Sequence, residues 1–544
     1  MSLQLRLLSC LEKTMPGRDP APLARPLSGF MNEVIAFQAA WKGDYPSPFQ
    51  VTVDSPVAAC VTARRVLNVP AGLAIYPDRG DDDYLTRKSG VYPDLLRETD
   101  GSPLTASDAW QALWVDIQPT PDTLPGDYPV TLRFESLSGE PLGRLTQTIR
   151  LLPGLLPPQK LIHTRWFHAD CLCSHYHVEA FSEEHWRIME NFLRKAANRG
   201  INSTLTPIHT PPLDTEVGGE RITVQLVDVY VEGGRYRFGM DKLRRWIHMC
   251  LRCGLDHLEM AHLYTQWGCA AAPKIIAAVN GEEKQIFGWD TPALSPEYRD
   301  FLKAYIPAVR QVLREEGVEE HVIWHISDEP GPQQLEAYLA ARAQVKPLLE
   351  GCTVRDALSS LEFYHQGVVE HPIVATDHIE PFLDAGVSRL WAYYCCAQTD
   401  RVCNQFIAMP SSRSRMLGVQ LFKFRCEGFL QWGYNFYNSQ LSRYPIDPYQ
   451  VTDADGAFPA GDPFLVYPGT DGRPEESIRM AVISQAMQDL RAFQLLESLA
   501  GYDEVIRLME ENLPSPITFS EYPRSAEYLL TLRERVNAAI MNLR

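Results

Sequence analysis

The sequence of 544 residues has no run of about 18 apolar residues, so no membrane-spanning helix is expected. It also lacks a sustained basic cluster. With 51 Lys+Arg against 68 Asp+Glu the formal charge is −17, which argues against nucleic acid or an anionic membrane as partner. No glycine-rich phosphate loop occurs. Cys250-x-x-Cys253 has no second pair at zinc spacing, and Cys171-x-Cys173 and Cys395-Cys396 are equally isolated. The 12 cysteines therefore read as free buried thiols, and neither a metal nor a cofactor is expected. His163, His168, His175 and His177 fall in one segment, but no carboxylate or cysteine completes a ligand set there. Met1 to Met15 carries Arg6 and Lys13 around a short apolar stretch without a small-residue cleavage site, which predicts a soluble, cytoplasmic protein.

What is present is ample material for a large core, 45% hydrophobic residues over a length that suits two or three domains. From about Phe37 to Leu152 short β-branched stretches alternate with Pro, Gly and Asp. Phe49 to Val53, Ala58 to Thr62, Leu113 to Ile117 and Tyr128 to Phe134 are examples, and they predict an antiparallel β-sandwich over residues 1–155. Pro153 to Pro158 marks the boundary.

Beyond it, strand-like and helical runs alternate. Strands are predicted at Leu161 to His168, Ile201 to Thr206, Leu255 to Tyr264, His321 to Asp328, Thr353 to Ser359, Ile373 to Ile379, Arg389 to Cys395 and Gly428 to Asn435. Helices are predicted at Glu183 to Asn198, Met240 to Cys253, Pro296 to Glu315, Gln333 to Leu349 and Ser412 to Cys426. Eight strands with helical connections make a (β/α)8 barrel over residues 156–475 the economical reading, and a doubly wound open sheet the alternative. Residues 476–544 read as helices packed on the barrel. The whole is a multidomain α/β protein.

In a barrel, function sits where strands end. Those ends carry His168, Tyr264, Asp328-Glu329, Asp377, Tyr393-Tyr394 and Trp432 to Asn435, a polar and aromatic set suited to a neutral, hydroxyl-rich ligand. Trp324-His325-Ile326-Ser327-Asp328-Glu329-Pro330 stands out among them. An apolar strand ends there in two adjacent carboxylates, which are costly to bury unless paired or used. One reading is that they cap the following helix. The other is glycoside hydrolysis, in which two carboxyl groups address the scissile bond. Adjacent acids fit the variant in which the substrate's 2-acetamido oxygen attacks the anomeric carbon, with Asp328 orienting the acetamido group and Glu329 acting as the acid. His325 reads as a core or supporting histidine, and Glu362 and Asp356 as reserve carboxylates.

His325 to Pro330, Trp391-Ala-Tyr-Tyr-Cys-Cys396, Gly428 to Asn435 and Pro459 to Gly469 together resemble glycoside hydrolase family 123. The resemblance runs from roughly Leu113 to Leu496. It implies a sandwich ahead of a (β/α)8 barrel and a β-N-acetylgalactosaminidase-like activity, with Asp328 and Glu329 as the catalytic pair. It further implies that Trp391, Tyr394, Trp432 and Asn435 line the sugar site, with Tyr364 and Asp377 as additional contacts. The expected partner is a glycan or glycoside. The competing readings are a hydrolase for another β-linked sugar and a non-catalytic carbohydrate-binding protein.

Overall fold

The computed structural model describes residues 3–544, so Met1 and Ser2 of the expected N-terminal domain lie outside the described residues. The N-terminal region is built from two sheets. The larger runs in the order Leu3–Ser9, Ile35–Gly43, Gln111–Ile117, Val61–Ala71, Gly90–Glu98, Pro474–Ser477, Val466–Pro468, antiparallel throughout. The smaller runs Leu27–Phe30, Pro141–Leu152, Gly126–Ser136, Phe49–Asp54, with its first pair parallel. Alternation explains how they meet. Val130, Leu132 and Phe134 of one sheet and Phe37, Ala39, Trp41, Leu113 and Val115 of the other are buried in one shared cluster; the intervening residues of the smaller sheet face outward, while Gln38, Ala40 and Trp114 of the larger are buried on its opposite face. Ala58–Cys60, expected in a strand, forms a single 3-10 turn, and the strand begins at Val61.

Two strands of the larger sheet come from far along the chain. Pro474–Ser477 straddles the expected boundary at 475/476 and pairs with Gly90–Glu98. Its Glu476, with Asp116, meets Arg64 and Arg199 in a buried network. Arg199 lies 2.6 Å from Glu476 and 2.8 Å from Asp116. The strand is followed by the helix Ile478–Ala500, which packs on Ser411–Lys423.

The central region is a curled sheet of nine parallel strands: β1 (Ile162–Arg165), β2 (Ser203–Thr206), β3 (His257–Met260), β4 (Val322–Trp324), β5 (Thr353–Val354), β6 (Ala357–Leu358), β7 (Ile373–Ala375), β8 (Trp391–Tyr393) and β9 (Gly428–Gln431). Its order is β5-β4-β3-β2-β1-β9-β8-β7-β6. The two edge strands, β5 and β6, are neighbours in sequence, separated only by Arg355 and Asp356. All eight predicted strand segments contain observed strands, and Glu183–Asn198 and Pro296–Glu315 are helices over the expected spans.

Inward-facing Trp166, Leu205, Ile323, Ile373, Ala375, Trp391, Tyr393 and Leu430 form a cluster of their own, distinct from the outer core between strands and helices. Two features were not anticipated. Asp228–Glu232 with Arg235–Gly239, and Ile275–Val279 with Glu282–Phe287, are hairpins that join into a four-stranded sheet within the connections after β2 and β3. No helix among the described residues is long and apolar enough to cross a membrane.

Candidate functional site

The strands of the curled sheet end around a cavity of about 310 Å³. Trp166 follows β1, Leu213 and Asp214 follow β2, and Gln266 and Trp267 follow β3. Asp328 and Glu329 follow β4, Tyr393 to Cys396 close β8, and Leu430 and Trp432 belong to the end of β9. Ala357 of β6, Gln440, Phe458 and Tyr76 complete the wall. Tyr76 comes from the N-terminal region, so both parts of the chain build the site. The lining holds three carboxylic acids and no Lys, Arg or His.

Asp328 and Glu329 are both partly exposed to this cavity. In a continuing strand they would face opposite sides. The strand has ended at Trp324, and Glu329 sits in the left-handed region at φ 44°, which breaks the alternation and lets both acids address one space. A non-glycine residue held there costs about 1–2 kcal/mol, and such strain concentrates at functional sites. Neither acid caps the following helix. Its first turn is closed by Gln334, whose amide oxygen accepts from the Gly331 N–H at 2.8 Å.

The two acids differ in surroundings. Burial, then the neighbouring charge of Glu329, pushes Asp328 well above the usual carboxylate range, while His325 pulls it back. Burial also raises Glu329, against the pull of the Tyr393 hydroxyl, which donates to its Oε1 at 2.8 Å. Asp214 is pushed up to about 6 by burial, although its Oδ2 accepts from the Leu441 N–H at 3.0 Å.

Beneath the pair lies a fully buried charged cluster. His325 Nε2 is 3.1 Å from Glu259 Oε2, and His325 Nδ1 is 3.6 Å from Asp356 Oδ1. Burial alone would favour the neutral imidazole, but the two carboxylates reverse this and push His325 up to about 10. Glu259 Oε2 also accepts from the indole of Trp166 at 2.8 Å, while Asp356 accepts from the Ile326 N–H at 2.9 Å and the Tyr338 hydroxyl at 2.5 Å. Ligand atoms of His262, His325 and Asp356 lie within 4.8 Å of one another. The two imidazoles are stacked, with centroids 4.6 Å apart and planes at 22°, so their in-plane lone pairs do not converge on one ion.

Of the residues expected in the sugar site, Trp432 lines the cavity and donates its indole N–H to Asp462 at 3.0 Å. Tyr394 touches the cavity, but its ring is buried on the outer side of β8, against Phe429 with centroids 4.8 Å apart. Trp391 does not line it. It fills the interior of the sheet at full burial, beneath the Arg355 guanidinium at 4.7 Å and so close to Gly428 that a Cβ there would meet the indole at 2.2 Å. Asn435 is also absent from the wall. Its amide clamps the backbone of His168, accepting from the N–H at 2.9 Å and donating to the carbonyl at 3.0 Å. Tyr364 lies on the short helix Leu361–His365, away from the cavity lining, its nearest ring partner His365. Asp377 does not line the cavity; it is exposed, its Oδ1 accepts from Gln398 at 3.0 Å, and its charge raises Glu329.

Sequence reasoning missed Tyr393 as the partner of Glu329, although strand alternation places it two residues from Trp391 on the same inner face. It also missed Trp166, which faces inward just past the end of β1, and Asp214, Gln266 and Trp267, which lie in the long connections after β2 and β3, where no periodicity marks a direction. Glu259 was missed too, and here a signal existed: a lone acid inside an apolar parallel strand.

Comparison with known proteins adds to this geometry. A family 123 glycoside hydrolase from Clostridium perfringens, described for glycolipid glycan hydrolysis, superposes with a TM-score of 0.74 at 13% identity, covering 99% of this chain and 98% of that one; the likeness is one of fold. A Bacteroides ovatus GH5 xyloglucanase in complex with a XXXG heptasaccharide reaches a TM-score of only 0.31 at 8% identity, over 85% of this chain and 98% of that one, and carries no argument. None of the curated proteins compared matches the sequence. The glycoside hydrolase 123 catalytic domain matches residues 166–496, more than half of the sequence and the whole of the cavity-forming sheet after β1. The chain belongs to glycoside hydrolase family 123.

Proposed function

We propose that this glycosidase is an exo-acting, retaining enzyme that removes terminal β-linked N-acetylgalactosamine with the substrate's own acetamido group as nucleophile. The observation that carries the reading is the pair of adjacent acids, turned into one cavity by the left-handed Glu329. Glu329 donates its proton to the glycosidic oxygen as the C1–O bond breaks. Asp328, as carboxylate, accepts from the acetamido N–H, and the acetamido oxygen closes on C1 to give an oxazolinium ion. In the second half, Glu329 takes a proton from the water that opens the ring at C1, which returns the β configuration.

The lining supports a neutral sugar. Three acids with no cation repel phosphate, sulfate or uronate groups, while Trp166, Trp267 and Trp432 offer apolar faces to a pyranose ring. The reading of the sheet as a (β/α)8 barrel belongs to the same proposal. It is supported by the two edge strands β5 and β6 being halves of one six-residue segment, which joins β4 to β7. The reading of the N-terminal region as a sandwich is supported by the core its two sheets share.

The test is p-nitrophenol release from the β-GalNAc, β-GlcNAc and β-galactoside derivatives. Turnover confined to acetamido sugars, strongest with β-GalNAc and inhibited by a thiazoline analogue of the oxazoline, is expected. Equal turnover of the plain galactoside would overturn the acetamido mechanism.

A further inference from the structure

We propose that Gln266 and Asp214 hold the terminal sugar by its ring hydroxyls, Gln266 as the donor and Asp214 as the acceptor. The inference rests on the cavity being the sugar site and not on the acetamido mechanism.

Gln266 carries the argument. It lines the cavity yet is only 8% exposed, and its Nε2 has no hydrogen-bond partner. The amide cannot be turned over to satisfy that donor. Its Oε1 accepts from the Asp214 N–H at 2.7 Å, and a backbone N–H accepts nothing, so the oxygen must face Asp214. The NH2 end is thereby fixed without an acceptor among the described residues. A buried donor left in this state is costly and rare in a native fold, and at a cavity wall the missing acceptor is supplied by what binds there.

The same hydrogen bond sets Asp214 beside the free donor. Asp214 also lines the cavity, and its Oδ2 accepts from the Leu441 N–H at 3.0 Å, which leaves Oδ1 as a free acceptor among the described residues. Its backbone is held under strain. Asp214 sits in the left-handed region at φ 37°, as do Leu441 and Ser442 at 59° and 52° in the loop after β9. Several contacts lock these two loops together. The Asp214 carbonyl accepts from the Ser442 hydroxyl at 2.6 Å, the Leu441 carbonyl accepts from the Glu216 N–H at 2.8 Å, and Arg443 pairs with Glu216 at 3.0 Å. Strained residues persist where their surroundings over-determine them, and they gather at ligand sites. The acceptor is therefore in place before the sugar arrives.

A hydroxyl suits this pair because it can accept from Nε2 and donate to Oδ1. A carboxylate or phosphate would meet Asp214 with like charge, and an aliphatic group would leave both polar atoms unpaired. Depth points the same way. Trp267, the next residue, lines the same cavity at 48% exposure, so Gln266 lies below it on the wall, where the end of a glycan comes to rest.

The experiment uses the full chain and p-nitrophenyl 1-thio-β-N-acetylgalactosaminide, which resists hydrolysis, with its 3-, 4- and 6-deoxy derivatives. Binding is measured by isothermal titration calorimetry in the wild type, Gln266→Glu and Asp214→Asn. Gln266→Glu keeps the oxygen that accepts from Asp214 and removes the free donor. Asp214→Asn keeps an oxygen for the Leu441 N–H, and Asn tolerates the left-handed backbone. Each variant binds the parent ligand about fivefold to a hundredfold more weakly. On the deoxy derivative that lacks the hydroxyl it contacts, the variant shows no further loss, while its full loss remains on the others. A loss equal on all four ligands, or none in a folded variant, overturns the proposal. Should Gln266→Glu fail to fold, the Asp214→Asn series decides by the same criterion. The matching 1-thio-β-galactoside series separates this inference from the proposed function. Turnover of the plain galactoside would overturn the acetamido mechanism while the binding pattern still decides here, and failure of the wild type to bind either parent ligand overturns this inference.

Discussion

The Tyr393 hydroxyl donates to Glu329 Oε1 across 2.8 Å and so ties the end of β8 to the end of β4. A hydrogen bond to the charged form of an acid favours that form, so this contact partly offsets the burial that raises Glu329. Tyr393→Phe removes the donor and leaves the ring. Glu329 then holds its proton to higher pH, and the basic limb of the kcat/KM profile moves in the alkaline direction. The acid is also less well fixed, and kcat at the optimum falls roughly three- to tenfold, the worth of one such hydrogen bond. A loss of activity with both limbs unmoved would assign Tyr393 to substrate binding instead.

The two acids are separable by leaving group. Glu329→Gln cannot protonate the glycosidic oxygen and loses about 10²- to 10⁴-fold in kcat on poor leaving groups. With 2,4-dinitrophenol, which departs without a proton, much of that loss is restored. Asp328→Asn acts on the acetamido group, so its loss persists whatever the leaving group. Steady-state rates on the p-nitrophenyl and dinitrophenyl glycosides decide the matter, and parallel recovery in both variants would contradict the division of roles.

Trp391 and Trp432 give opposite expectations although both were read as sugar contacts. Trp391 is fully buried inside the sheet and does not line the cavity, so Trp391→Ala destabilises the fold by about 3–5 kcal/mol while the KM of the remaining folded enzyme stays near that of the wild type. Trp432 faces the cavity, and Trp432→Ala raises KM several-fold or more. Denaturant unfolding and saturation kinetics on both variants check the contrast.

The same strand shows what could be read from sequence. Trp391-Ala-Tyr-Tyr identified β8 correctly because an apolar run flanked by turn residues is a tertiary-independent signal. Which of its aromatics faces the ligand depends on depth as well as on alternation. Trp391 and Tyr393 share the inner face, yet only Tyr393 lies at the end where the cavity opens. Asn435 illustrates a second limit: its amide faces a backbone segment 267 residues away in sequence, a contact no local pattern announces. That Asp328 and Glu329 reach a cavity was legible in part: a buried strand ending in two acids marked the place, while a helix cap remained the other reading of the same spacing. That Glu259 of β3 and Asp356, between β5 and β6, both meet His325 after β4 became visible only in the fold.

Asp462 yields a prediction about stability. It is fully buried, its carboxylate accepts from the indole N–H of Trp432 at 3.0 Å, and burial pushes it up to about 7 despite that bond. An acid whose folded-state value lies above its unfolded value of 3.8 binds its proton more tightly when folded. Below about pH 4 both states are protonated and the group is neutral in its effect. Between pH 4 and 7 only the unfolded state releases the proton, so folding stability falls as pH rises, and above 7 the cost is constant. Asp462→Asn carries no such proton. Its advantage over the wild type therefore grows from pH 4 to pH 7 and then levels, with a ceiling of about 4 kcal/mol set by three pH units. Urea unfolding of both proteins at pH 4.5, 6 and 8 measures this. A difference that stays constant across the three would mean that the amide merely packs differently against Trp432, and that the buried carboxyl does not set how stability changes between pH 4 and pH 7.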